Sequence, residues 1–181
     1  ALQNDETKDQ PNTWYVAGFI GYKEFYNGNM KQQLGQQFDK KAWGDAVYES
    51  LNYWTKAYDM AKIPTIDKKG REKFDTRTPK SIVPKVVEYF NSIPLIIAGF
   101  DAYQAGDPSK AYDMFIAHCN IPESDMMKEN PSEMAKIVCD SNYYIYLYQS
   151  GQLAEAAERY DEALAAFERM NTEHAKQTAL Y

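Results

Sequence analysis

Apolar side chains return every three or four residues through most of this chain, the interval that gathers them on one side of an α-helix. Alternating apolar and polar runs, the mark of a half-buried strand, are nearly absent. A first helix is expected from Pro11, a residue tolerated in an opening turn. It carries Trp14, Ala17, Gly18 and Tyr22 and is expected to end by the turn signal Asn27-Gly28-Asn29. A second covers about Lys41 to Lys62, with Leu51, Trp54 and Ala57 on one face and Pro64 just beyond. A third runs from about Pro84 to Gln104, where Pro94 should kink or split it. Gly106-Asp107-Pro108 then supplies a turn, a cap and a first-turn proline. The helix it opens places Ala111, Met114, Phe115 and His118 together, and Asn120 and Pro122 stop it. Asn130, Pro131 and Glu133 repeat the capping logic and open a helix expected to reach Ser150, with Gly151 turning the chain. The last helix sets Leu153, Ala156, Tyr160, Ala163, Leu164 and Phe167 against Glu155, Glu158, Arg159, Asp161 and Glu162.

Two of these segments share a spacing. Measured from Gly106 and from Gly151, each has an alanine five residues on (Ala111, Ala156) and a ring nine residues on (Phe115, Tyr160). Small residues let antiparallel helices approach, and a ring from the second helix fills the remaining gap. The pattern resembles the tetratricopeptide repeat, W-x2-L-G-x2-Y followed by A-x3-F and a later proline. Trp14, Ala17 and Gly18 match its opening, Ser50, Trp54 and Ala57 its second helix. Gly99, Ala111 and Phe115 match in the next hairpin, with Pro122 near the terminal proline and His118 in a small-residue position. In the third hairpin Tyr144 stands where the family has glycine. The resemblance implies an all-α fold of about three antiparallel hairpins stacked in a right-handed superhelix, one domain over 1–181. Hairpin one is expected at about 11–62 with an insertion at 28–42, a linker at 62–80, hairpin two at about 82–119 and hairpin three at about 130–170. Ala1-Leu2 reads as the tail of an earlier hairpin, the chain as part of a longer array, and the missing initiator Met as removal of something upstream. The Thr13-Trp14-Tyr15-Val16-Ala17-Gly18 stretch is similar to irregular tetratricopeptide proteins of bacterial cell envelopes, which favours a periplasmic or envelope location over a cytoplasmic one.

Composition narrows the function classes. The 181 residues are 44% hydrophobic and 25% charged, an ordinary globular balance. A formal charge of −6 argues against a nucleic-acid partner, which needs a basic footprint. No run approaches the roughly 20 apolar residues of a membrane span. The linker is locally basic through Lys62, Lys68, Lys69, Arg71, Lys73, Arg77 and Lys80, and reads as a solvated loop, or else as a docking patch for an acidic partner. Cys119 and Cys139 lack metal-site spacing and read as small buried hydrophobes. The family register brings them near one end of neighbouring helices, so an oxidising compartment would allow a bridge. His118 falls on a core face and His174 in a polar tail, so neither recruits the convergent partners that a metal or a catalytic dyad needs. No nucleotide, zinc-protease or hydrolase motif is present. The expectation is no enzyme, no metal and no cofactor.

The 15 tyrosines carry the functional expectation. Tyr22, Tyr103 and Tyr148 lie four residues beyond Gly18, Gly99 and Tyr144, and each has an apolar partner three residues earlier: Phe19, Phe100 and Ile145. Such pairs share a helix face. In the family this face lines a concave groove, so the six residues form a candidate binding surface for a protein or peptide. The competing reading has the tyrosines filling gaps between hairpins. Lys23 alone is too little for the family's carboxylate clamp. A different function class is an envelope glycan-capture protein that stacks aromatic rings on sugars.

Overall fold

The computed structural model describes Gln3 and residues 7–178, with side chains of the last helix as far as Thr172. Ala1, Leu2, the His174 side chain and Tyr181 lie outside the described residues. The chain is mostly helical: α1 Pro11–Gln33, α2 Lys40–Ala61, α3 Arg77–Ser92, α4 Pro94–Gln104, α5 Pro108–Asn120, α6 Asp125–Lys128, α7 Pro131–Met134, α8 Ser141–Ala156 and α9 Tyr160–Thr178. Helices α1, α2, α4, α5, α8 and α9 each pack on the next in that order, and α3 lies against α1 and α2. No single helix among the described residues is long and apolar enough to cross a membrane.

Several boundaries differ from the sequence expectation, each for a physical reason. Helix α1 runs straight through Asn27-Gly28-Asn29. A Cβ on Gly28 would meet Trp43 Cδ1 at 2.1 Å, so this glycine serves close packing rather than a turn. The expected insertion at 28–42 is therefore largely helix, and only residues 34–39 connect α1 to α2. The linker is not all loop. Thr65–Ile66 (β1) and Glu72–Lys73 (β2) pair antiparallel, closed by an Asp67–Arg71 ion pair at 2.8 Å. Helix α3 then starts at Arg77, seven residues before Pro84, because the Asp75 carboxylate accepts from the Arg77 and Thr78 amides at 2.9 and 3.1 Å. At Ile93, with φ 46°, the chain breaks, and α4 continues at 51° to α3.

The helix expected from Pro131 to Ser150 is broken instead. Helix α7 stops after one turn, and α8 opens only where Asp140 accepts from the Asn142 amide at 2.9 Å. Gly151 lies inside α8, not at a turn. A Cβ there would sit 2.4 Å from Phe167, just as one on Gly99 would sit 2.6 Å from Phe115 and one on Gly18 2.3 Å from Trp54. The turn into α9 is at Glu158, φ 59°, the counterpart of Gly106 at φ 84°. One constant offset thus carries Gly99, Gly106, Ala111 and Phe115 onto Gly151, Glu158, Ala163 and Phe167. Ala111 and Ala163 are both buried, whereas Ala156 and Tyr160 are exposed. The repeat is real, but its third copy lies seven residues later than Ala156 and Tyr160 indicated.

The larger core joins Phe25, Trp43, Trp54, Ile82, Tyr89, Leu95 and Met114, and a second gathers Ile96, Ala111, Tyr112, Phe115, Leu153 and Ala163. Ser50 is tolerated inside because its hydroxyl donates to the Gly18 carbonyl at 2.7 Å and accepts from Tyr89 at 3.0 Å.

Candidate functional site

The six residues of the expected ladder do not form one groove. Tyr22 is half-buried, its ring within 5.6 to 6.0 Å of Phe25, Trp54 and Tyr89, and its hydroxyl donates to Glu88 Oε2 at 2.6 Å. Burial, followed by the Glu88 carboxylate, raises its phenol pKa. Phe19 stacks on Tyr15 and Tyr22, with the Lys85 ammonium near both Phe19 and Tyr22. Helix α3 covers this part of α1, and the sequence reading had assigned its first turns to the linker. For Phe19 and Tyr22 the gap-filling reading describes the geometry.

The remaining four lie on α4 and α8. Phe100 is 42% exposed and Tyr103 51%. Together with Phe115, Gln149, Gln152 and Leu153 they line a cleft of about 210 Å³. Phe100 stands edge-on to Phe115 at 5.0 Å, so the rigid ring that fills Gly99's contact also forms a wall here. Gln152 Nε2 donates to the Tyr148 hydroxyl at 3.4 Å, which joins Tyr148 to the cleft rim. Tyr148 also leans on Phe167 of α9 at 5.7 Å. Ile145, one turn earlier, is exposed and does not line the cleft. The mismatch of seven residues, two turns, follows from the register: four residues beyond Gly151 stands Glu155, not Tyr148.

Two residues with no motif to mark them complete the site. Gln149 Oε1 is buried with no hydrogen-bond partner among the described residues, and Gln152, one turn on along α8, lines the same cleft. Their only sequence signal is position: they flank the small pair Ser150-Gly151 that brings α9 close. All six lining side chains are uncharged, so the cleft selects for shape and neutral hydrogen bonding rather than for charge. A wider cleft of about 470 Å³ lies between α2, α3 and α5, lined by Tyr48, Leu51, Val86, Ile116 and Met126 among others. None of its lining residues holds a buried polar atom without a partner.

His118 is 1% exposed and stacks face to face on Phe90 at 4.5 Å, with Nδ1 unpaired among the described residues. Burial lowers its pKa to about 4. No disulfide joins Cys119 and Cys139, and burial pushes the Cys119 thiol up to about 12. The helix expected to carry Cys139 beside Cys119 is absent at that point, since Cys139 lies in the unwound link before α8. Among the described residues no group of three His, Cys, Asp or Glu side chains could hold a metal ion. The basic linker is partly neutralised: Lys62 pairs with Glu129 at 2.8 Å and Arg71 with Asp67.

Comparison with protein-family models, with curated proteins and with solved structures finds no match to this chain.

Proposed function

We propose that this chain is a non-catalytic interaction scaffold of the tetratricopeptide type, its hairpins stacked as a right-handed superhelix, and that it holds an extended peptide segment of a partner protein in the cleft between α4 and α8. The observation that carries the reading is an uncharged cleft walled by the exposed rings of Phe100 and Tyr103, with the Gln149 and Gln152 side chains in its lining. The side-chain amides of Gln149 and Gln152 each carry a donor and an acceptor, the pair of groups that the backbone of an extended peptide needs. Exposed Phe100, Tyr103 and Tyr148 supply rings for the side chains between, and such rings carry much of the energy at interfaces. The helix order α1, α2, α4, α5, α8, α9, with a glycine–ring contact in every hairpin, supports the repeat-family reading. An envelope location goes with that family resemblance.

The test separates the two ends of the former ladder. A peptide array identifies a binding sequence, and its affinity and the melting temperature are then measured for Tyr22→Ala, Tyr103→Ala and Gln149→Leu. Tyr103→Ala and Gln149→Leu are expected to weaken binding by about tenfold or more, as loss of an interface ring or buried hydrogen bond does, with melting nearly unchanged. Tyr22→Ala is expected to lose about 3 kcal/mol of stability. Binding that survives both cleft variants overturns the site. A glycan array that lights up where the peptide array stays dark, and that depends on Tyr103, replaces the peptide with a sugar.

A further inference from the structure

A further cavity, of about 300 Å³, lies where the end of α3, the end of α5 and the start of α8 meet. That volume is at the lower end of the range for small-ligand sites. It shares no lining residue with the cleft between α4 and α8. Phe90, Tyr143 and Tyr146 supply its rings, and His118 lies among them, stacked on Phe90 at 4.5 Å and meeting the edge of Tyr146 at 5.7 Å.

The polar groups of this lining are mostly acceptors. Asn91 commits its side-chain amide nitrogen to the Lys136 carbonyl at 3.2 Å, and Asn142 commits its own to Asp140 Oδ2 at 3.2 Å. What each amide keeps in full is its carbonyl oxygen. The Asp140 carboxylate also accepts from the Asn142 backbone amide at 2.9 Å, but a carboxylate has about four lone-pair sites, so capacity remains. Among the described residues Asp140 joins no ion pair, and no lysine or arginine lines the cavity. His118 adds no positive charge at neutral pH, because burial holds its pKa at about 4. The Asp140 charge is felt at the rings: burial raises the Tyr146 phenol pKa most, and Asp140 is the next cause. Acceptors, aromatic faces and one negative charge together suit one class of ligand. An ammonium has three donors, no acceptor, and a charge that aromatic faces attract. An anion would meet Asp140 with no cation to offset the repulsion, and an alcohol of the same size would gain no Coulomb attraction from it.

We propose that this cavity binds a primary ammonium group, paired with the Asp140 carboxylate and seated against the rings of Tyr143 and Tyr146, and carried by a small amine or by a lysine side chain of a partner. Both sources present the same chemistry, a charged head on an apolar stem, and the rings with Ile93 give the stem an apolar wall.

Magnetic resonance titration of the isotope-labelled 181-residue chain at constant ionic strength tests this, with n-butylammonium as the probe. Saturable shifts are expected at Asn91, His118, Asn142 and Tyr146 at millimolar concentration, with n-butanol and butyrate binding there much more weakly. Asp140→Asn removes the charge but keeps a cap for α8, since asparagine caps about as well as aspartate. It should melt near the parent and bind butylammonium about fivefold more weakly, the loss of one partly exposed ion pair. An end-blocked Gly-Lys-Gly peptide separates the sources: tighter binding than butylammonium assigns the group to a protein lysine, weaker binding to a free amine, and either supports the site. Three outcomes overturn the proposal: butanol or butyrate binding as tightly as butylammonium, a folded Asp140→Asn chain that binds unchanged, or no saturable shift at these residues. The comparison of the three probes uses the parent chain alone, so it decides the matter whatever the variant's stability.

Discussion

Single residues decide most of what is unusual in this molecule, and glycine and histidine show how. Gly18, Gly99 and Gly151 leave room for Trp54, Phe115 and Phe167, and in each case a methyl group would overlap the ring. The sequence set Gly99 and Phe115 at the family spacing, and Gly18 and Trp54 on family positions only with an insertion between them. It missed the third because Gly151 sits between glutamines and before Leu153, where a turn was the simpler reading. His118 was placed on a core face from spacing alone, and it is buried there. What spacing could not show is its titration. Its ring is stacked on Phe90 and meets the edge of Tyr146, while Asp140 and Tyr143 share the adjoining cavity. Burial holds the folded-state pKa at about 4, below the ordinary 6.5, so the unfolded chain takes up the proton first. This contribution to stability is complete above pH 6.5 and is lost as pH falls towards 4, by about 3 kcal/mol in all. Urea unfolding at pH 7 and pH 4.5 should show a loss that His118→Phe reduces. An equal loss in both proteins would assign the acid sensitivity to the carboxylates.

At the scale of elements, capping chemistry was the most readable signal. Asp107 caps α5 through the Lys110 amide at 3.0 Å, as the Gly106-Asp107-Pro108 triplet indicated. Asp39, Asp75 and Asp140 do similar work at α2, α3 and α8, but each stands where no proline or glycine drew attention to it. Proline was the less reliable marker. Pro84 lies inside α3, whose first turns are already fixed by Asp75, and Pro131 opens a helix of a single turn. The helix register can be checked by overpacking. Ala111→Leu and Ala163→Leu each place a larger side chain at a buried helix contact and should cost about 1–3 kcal/mol. Ala156→Leu, on an exposed surface, should fall within about 0.5 kcal/mol of the parent. Denaturant melts of the three variants decide between the two registers, because the uncorrected one exchanges the results for Ala156 and Ala163.

For the molecule as a whole, Arg169 is a tie between the last hairpin and the rest of the core. Arg169 donates to Asn120 Oδ1 at 2.6 Å, to the Tyr143 hydroxyl at 2.9 Å and to the Cys119 carbonyl, and pairs with Glu123 at 3.0 Å. It ties α9 to the end of α5 and the start of α8. Arg169→Ala removes these bonds together and should cost about 2 kcal/mol or more, the Glu123 carboxylate being half exposed and partly rehydrated. Hydrogen exchange should then show α9 losing protection before α1 and α2, whereas uniform loss would mean that the arginine is not a local tie. What the sequence determined by itself was local: helical periodicity, the Asp107 cap, the small-residue contacts of the first two hairpins and the burial of His118. Each depends on residues a few positions apart or on one hairpin, so spacing is enough to reveal it. Only the tertiary structure decided which tyrosines are interior. Tyr22 and Tyr103 occupy equivalent places beyond their glycines, yet α3 folds over one and leaves the other beside Gln149 and Gln152. That difference comes from a helix distant in sequence, and burial depends on everything that packs against a side chain, not on its own helix.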